Sequence, residues 1–296
     1  MTLTQPRLVD RYLAFPASVL DRRGARWKAL RARWAHLGDV GRDGVLYRES
    51  NTEVGEALHT YSQGASRFDP ALAHLLTHWY TRPGDTVVDP FAGGPIRGMV
   101  TTELDRAYHG VDLNPHQVEA NHQAHPDHTH LWEVGDATTW QAPHADMVLT
   151  CPPYHQLERY SDDPADLSVM GWDEFTTAIR ATVTNTLTAL HPDRYTAWVV
   201  SDVRDRNGQL RDLPGEVVRA HQQAGALWLD DLVTVDPIGA GRLRAKRPFV
   251  RSRKTLRTHQ RALVFVKGDP TRAAWRIYDQ ADTPDRAWNP THAPPA

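Results

Sequence analysis

Apolar residues recur along this chain with two different periods, and their alternation predicts its architecture. From Phe68 onwards, short apolar runs bounded by turn residues exchange with longer stretches of helical spacing. Val87 to Asp89, Tyr108 to Asp112, Leu131 to Val134, Met147 to Thr150, Tyr195 to Ser201, Leu227 to Val235 and Ala262 to Val266 read as seven strands. Pro70 to Tyr80, Ile96 to Asp105, Pro115 to His125, Trp172 to Leu190 and Leu213 to Ala224 read as helices, with Pro115 in the favoured first turn. This order predicts an α/β fold with a mostly parallel seven-stranded sheet covered by helices on both faces.

Ahead of that pattern, residues 1–60 hold few strand signals and read as an N-terminal helical extension. Leu20, Trp27, Leu30 and Trp34 stand at helical spacing between Val19 and Leu37, and Gly38 supplies a stop. Arg22, Arg23, Arg26, Lys28, Arg31 and Arg33 lie between them. They suit either the solvated face of a helix packed on the main domain or an arm that contacts phosphates. The main domain is expected over 61–282, and the Pro-rich tail, 283–296, is expected to be disordered.

Length and charge narrow the picture only in part. The 296 residues suffice for one sizeable α/β domain with decorations, or for two small domains. Thirty-four basic side chains nearly balance 36 acidic ones, so net charge announces no nucleic-acid partner. A single cysteine excludes an intramolecular disulfide and fits a reducing, cytoplasmic setting. No run approaches the roughly 18 apolar residues of a membrane helix. MTLTQPRLVDRYLAF lacks the apolar core of a signal peptide, and no His/Cys set has metal-site spacing.

The distribution of charge says more. Between Pro237 and Gly268 there is no Asp or Glu, yet Arg242, Arg244, Lys246, Arg247, Arg251, Arg253, Lys254, Arg257, Arg261 and Lys267 all fall there. Pro and Gly punctuate the segment, so 237–261 reads as a long basic loop joining the last two strands. Such a loop can neutralise phosphates, and nucleic-acid contact is favoured over mere solvation.

Two segments carry the candidate chemistry. TVVDPFAGGPIRG, Thr86 to Gly98, is a strand running into a glycine turn and a helix, the place where open α/β sheets bind ligands. Gly93 and Gly94 allow close backbone approach, and the helix start offers free N–H groups. Ala92 occupies the slot where a dinucleotide fingerprint needs its first glycine. Asp112, closing the second strand, is the expected acidic ribose ligand, with a helix cap as the alternative. Asp136, in GDAT, is placed to meet an adenine amine or else to form a turn. The second segment, VLTCPPY, Val148 to Tyr154, is a buried strand ending in a rigid Pro-Pro and an aromatic. HQLERYSDDPADLS follows it as a solvated loop or, alternatively, a lid; Asp202 in VVSDVRD lies past the fifth strand, near the same edge.

These segments, together with SRFDPALAHLLTHWY, GVDLNPHQVEAN and RTHQRALVFVKGDP, resemble DNA methyltransferases of the amino type. The likeness is to the DNA modification methylases common in phages and prophages and runs from about Val19 to Pro270. It implies a Rossmann-like class I methyltransferase fold and S-adenosylmethionine as cofactor. It also implies methylation of the 6-amino group of adenine or the 4-amino group of cytosine in double-stranded DNA, on a flipped base. The setting implied is the cytoplasm of a bacterial or phage-infected cell, with restriction-modification as the context. The resemblance assigns Phe68, Asp89, Pro90, Phe91, Gly93, Gly94, Asp112 and Asp136 to the cofactor, and Cys151, Pro152, Pro153 and Tyr154 to catalysis. Arg244, Lys246, Arg247, Arg251, Arg253 and Lys254 are the DNA-contact candidates.

An exocyclic amine is conjugated to its ring and is a poor nucleophile. A prolyl carbonyl held by Pro-Pro can accept one of its hydrogens, and Tyr154 can stack on the extruded base. Cys151 departs from the Asp, Asn or Ser usual at the first position, since a thiol is a weak acceptor. A covalent cysteine mechanism at cytosine carbon-5 is the rival, but that chemistry is associated with cysteine after proline, not before it. RNA or protein-glutamine methylation on the same fold, and a catalytically inactive DNA-binding relic, stay open as other readings.

Overall fold

A computed structural model describes residues 8–37, 47–48, 68–155, 158–205, 207–236 and 241–277. The expected tail, 283–296, and most of 38–60 lie outside the described residues. Eight strands form the main sheet: β1 (Val19–Asp21), β2 (Thr86–Asp89), β3 (Ala107–Asp112), β4 (Trp132–Val134), β5 (Ala145–Thr150), β6 (Leu190–Val200), β7 (Leu227–Val235) and β8 (His259–Lys267). Their spatial order is β1-β7-β8-β6-β5-β2-β3-β4. β2 to β6 pair in parallel, β8 runs antiparallel between β6 and β7, and β1 adds in parallel at the edge beside β7.

Seven of these strands are the seven expected. The eighth, β1, corrects the helical reading of Val19 to Leu37. Only Leu20 of its three residues is buried, and hydrogen bonds to the open edge of β7 hold it there. The helix begins later, as α1 (Ala25–Arg33), and buries Trp27, while Trp34 and Leu37 pack beyond its end.

The helices are α2 (Pro70–Tyr80), α3 (Ile96–Glu103), α4 (Pro115–Ala124), α5 (Trp172–Ala189), α6 (Leu213–Gln223), α7 (Gly241–Ser252) and α8 (Pro270–Ile277). α2 and α4 start as the sequence dictates. Asp69 and Asn114 accept the Ala71 and His116 N–H groups as caps, and proline fills each first turn. Central strands are buried on both faces, as parallel sheets demand. Along β8, Ala262, Val264 and Val266 join one apolar cluster with α2 and α3, whereas Leu263 and Phe265 join another with α5 and α6.

α7 is a second correction, because the region read as a loop is helical through Pro248. Proline has no N–H for the ladder, which is why the sequence argues against a helix there.

Two arginines dock the basic N-terminal segment, while Arg23, Arg26, Lys28 and Arg33 stay exposed. Arg22 bridges Asp69 at 2.7 Å and Asp236 at 2.5 Å, Arg31 meets Asp69 at 2.8 Å, and Trp27 Nε1 donates to Asp69 at 2.9 Å. Burial works against the Asp69 charge, but the Arg22 and Arg31 guanidiniums outweigh it and hold its pKa below the ordinary value. No helix among the described residues is long and apolar enough to cross a membrane.

Candidate active site

At the carboxyl ends of β2, β3, β4 and β5 lies a cleft open to solvent. Pro90 and Phe91 wall it after β2, Asp112 to Asn114 after β3, Asp136 and Ala137 after β4, and Pro153 after β5. Tyr160, Ser161, Ala165, Asp166 and Leu167 close another side.

The glycine turn is built around a buried ion pair. Asp89 is 0 % exposed and accepts four hydrogen bonds: Arg97 Nε at 2.5 Å, Tyr108 Oη at 2.8 Å, Thr150 Oγ1 at 2.6 Å and the Phe91 N–H at 3.1 Å. Its carboxylate therefore organises the loop from beneath and does not reach the cleft, which corrects its assignment as a direct cofactor ligand. Arg97 adds bonds to the Phe91 and Ala92 carbonyls and lies 4.7 Å from the Phe68 ring centroid. Burial disfavours the guanidinium charge, yet the adjoining Asp89 carboxylate keeps its pKa above the ordinary arginine value. Phe68 is thus packed on Arg97 and is not part of the cleft wall.

Gly93 is also used internally. At φ 52 it donates its N–H to Asp112 Oδ2 at 2.7 Å, and its carbonyl accepts from Asn121 Nδ2 at 2.8 Å. A side chain at Gly94 would meet only open space within 4 Å. Asp112 also accepts the Asn114 N–H at 2.9 Å, so both of its oxygens are oriented by backbone while the residue lines the cleft. Asp136 forms the expected turn. Oδ1 takes the N–H and hydroxyl of Thr138, each at 2.8 Å, and the residue faces the cleft. Two oriented carboxylates between apolar walls suit an adenosine, with hydroxyl and amine donors for the acids and a flat base for Phe91, Ala137 and Leu167.

The TCPPY loop places Pro153 in the cleft wall. Cys151 is half-buried, with Sγ 3.4 Å from Tyr154 Oη, and Gln260 Nε2 donates to the same hydroxyl at 3.0 Å. Tyr154 is 7 % exposed and packs with Val88, Phe91 and Trp198. His155 follows with φ 50, its ring edge-on to Trp172 and Phe175.

The acidic segment after TCPPY is solvated at Asp162 and Asp163, as the sequence favours, but its far end is buried. Asp166 is 4 % exposed, bonded to the Ser168 N–H at 2.8 Å and the Ser161 hydroxyl at 2.9 Å, and Leu167 packs inward. The segment covers one side of the cleft.

Asp202 is ion-paired with Arg257, which uses one of the basic side chains internally. Arg261 pairs with Asp231, and Lys267 Nζ reaches the Leu187 carbonyl at 2.7 Å at the end of α5. Lys246, Arg251 and Arg253 are exposed, Lys254 is partly buried, and the side chains of Arg244 and Arg247 lie outside the described residues.

No family model matches the chain. A stretch of 51 residues is 43% identical to the type II methyltransferase M.XycI of Xanthomonas campestris pv. cyanopsidis, covering 17% of each protein. Over 39 residues the chain is 49% identical to the type II methyltransferase M.Cfr9I of Citrobacter freundii, covering 13% of each. The chain thus matches less than a fifth of the length of these curated relatives. Among solved structures, it is similar to geranyl diphosphate methyltransferase in complex with GPP and sinefungin, at 14% identity and a TM-score of 0.50. That likeness covers 80% of this chain and 93% of that one. At such identity the likeness is one of fold, and the fold is the Rossmann-like sheet of S-adenosylmethionine-dependent methyltransferases.

Proposed function

We propose that this chain is an S-adenosylmethionine-dependent methyltransferase that modifies an exocyclic amine of adenine or cytosine in DNA. The observation that carries the reading is that Pro153, from the TCPPY loop, walls the same cleft as Asp112 and Asp136. Candidate catalytic loop and candidate adenosine ligands therefore meet at one place. The short matches to two type II methyltransferases support the reading, as does the run without acidic residues between Pro237 and Gly268.

In this reading Asp112 takes the ribose hydroxyls, Asp136 the adenine amine, and Phe91 with Ala137 and Leu167 the faces of the base. S-adenosylmethionine supplies an electrophilic methyl group when bound. The Pro152 carbonyl accepts one N–H of the target amine, which localises the nitrogen lone pair for attack. Gln260 and Tyr154 hold the loop, and the Cys151 sulfur lies against the Tyr154 hydroxyl. The nitrogen would gain the methyl as the sulfonium carbon–sulfur bond breaks, leaving S-adenosylhomocysteine, and one proton would pass to solvent with no covalent step on the protein.

Calorimetric titration tests the cofactor half. Asp112→Ala should lose hydrogen bonds to a charged acceptor worth about 1.5–3 kcal/mol, roughly a 10- to 150-fold drop in S-adenosylmethionine affinity. Unchanged affinity in a folded variant moves the cofactor elsewhere. Long-read sequencing of DNA from cells with and without the protein tests the substrate half, reading the modified base and its context together. DNA identical in the two cultures defeats the substrate assignment.

A further inference from the structure

We propose that Phe249 and Val250, at the end of α7, form an apolar wedge that enters duplex DNA beside the target base and holds the stack open. The proposal rests on the DNA reading above and adds to it an element that separates the bases.

Phe249 is 44 % exposed and Val250 67 % exposed, two consecutive large apolar residues left in water. They stand among cations: Lys246, Arg251 and Arg253 are all exposed, and none is paired with a carboxylate among the described residues. The Arg253 guanidinium lies 5.4 Å from the Phe249 ring centroid. Arg253 itself has φ 56, a left-handed conformation that ends the helix and turns the chain back. Leu227, Trp228 and Leu229 are also exposed, at the amino end of β7 next to Asp230, and Val134 is exposed singly at the end of β4, but none of these stands in a run of cations.

The wedge is tied to the catalytic edge. Beyond Arg253 the chain is anchored by Arg257 on Asp202, past the end of β6, and by Gln260 on Tyr154. The end of α7 at Ser252 precedes Gln260, whose hydrogen bond holds the TCPPY loop, by eight positions of sequence.

A polyanion complements the cations, which then position the backbone without reading sequence. Apolar side chains carried on such an element insert between base steps and unstack them. Tyr154 cannot serve this purpose, because its ring is buried and its hydroxyl engaged. Extrusion therefore needs another apolar group, and Phe249 with Val250 supplies it.

The test uses the full chain and short duplexes carrying 2-aminopurine, either fully paired or opposite a mismatch. Wild type should bind both, prefer the mismatched duplex, and raise the fluorescence of the unstacked 2-aminopurine. Phe249→Ala/Val250→Ala changes only exposed side chains. It should keep its salt dependence and its S-adenosylmethionine affinity while losing the fluorescence rise and about tenfold of the mismatch preference. Phe249→Trp should restore both. Arg251→Ala/Arg253→Ala should weaken binding and flatten the salt slope by up to about 0.9 for each phosphate no longer neutralised. A full fluorescence rise in the double alanine variant, or wild-type binding with no rise, overturns the wedge and leaves the DNA reading standing. Wild type that binds neither duplex overturns the DNA reading, and the wedge with it.

Discussion

Gln260 donates a hydrogen bond from Nε2 to the hydroxyl of Tyr154 at 3.0 Å, joining β8 to the loop after β5 across 106 positions of sequence. The same hydroxyl lies 3.4 Å from Cys151 Sγ. An amide N–H only donates, so Tyr154 accepts from Gln260, and either the hydroxyl or the thiol supplies the proton between Tyr154 and Cys151. The TCPPY loop is thereby fixed from the side on which the basic helix returns to the sheet.

Removing either end of this bond should loosen the loop without emptying the core. Tyr154→Phe keeps the ring but removes the partner of the half-buried Gln260 amide, at a cost of about 0.5–1.5 kcal/mol. Gln260→Leu leaves the Tyr154 hydroxyl one partner short and should lower kcat more than it raises KM for DNA. Tyr154→Ala opens a cavity and should cost about 3–5 kcal/mol. Urea unfolding and steady-state kinetics on the three variants separate these effects. Gln260→Leu with wild-type kcat would remove the loop-fixing role.

The Asp89–Arg97 pair should be the costliest place to disturb the cleft. Both side chains are buried, and Arg97 also holds two carbonyls of the glycine turn. Breaking a buried pair by removing one partner costs about 3–5 kcal/mol. Arg97→Met and Asp89→Asn should each fall in that range, and the double variant should lose less than the sum. Denaturant midpoints of the four proteins give the coupling directly. Additive losses would mean that the two residues act independently.

The sheet is largely legible in the sequence, and the reasons are physical. Strands such as Leu227 to Val235 stand between turn residues, and pattern alone places them. Arg97 is not legible, because an arginine in a glycine turn gives no sign that Asp89, Phe91 and Ala92 will surround it. β1 escapes the pattern because a three-residue strand with one buried side chain exists only through its neighbour β7. Charge patterning likewise shows where cations lie but not which are taken: Arg22, Arg31, Arg257 and Arg261 all find carboxylates distant in sequence. The acidic segment after TCPPY reads as solvated because the burial of its far end comes from Ser161 and Ser168 folding onto Asp166, a local knot that composition hides.

His221 gives the stability of the protein a pH dependence. It is wholly buried, stacked on Phe265 at 3.8 Å, with Nδ1 donating to the Val217 carbonyl at 2.8 Å. Burial pushes its pKa down from 6.5 to about 3. Below pH 6.5 the unfolded chain takes up a proton here that the folded chain refuses, so stability is fully present above 6.5 and is lost as pH falls toward 3. Between about pH 7 and about pH 5 the loss from this residue should be about 2 kcal/mol. His221→Phe retains the stack and should flatten that part of the profile, as urea melts across the pH range will show. A variant with the wild-type slope would assign the acid sensitivity elsewhere.

Cys151 is the residue on which the chemistry turns. Its sulfur sits beside the Tyr154 hydroxyl, half-buried between the two apolar clusters, before the prolines and not after them. Amine methylation asks of this position only an acceptor and a loop of the right shape. A serine hydroxyl is a better acceptor than a thiol and is close to it in size, so Cys151→Ser should be active, at least to the level of wild type. Methylation at cytosine carbon-5 asks instead for a thiolate that attacks carbon-6, and the serine variant would then be dead. A duplex containing 5-fluorocytosine separates the two chemistries a second time, because only covalent attack leaves protein and DNA joined after denaturation. The expected result is an active serine variant and no retarded species on a denaturing gel. A trapped adduct would overturn the amine assignment, since transfer to nitrogen passes through no bond between the protein and the base.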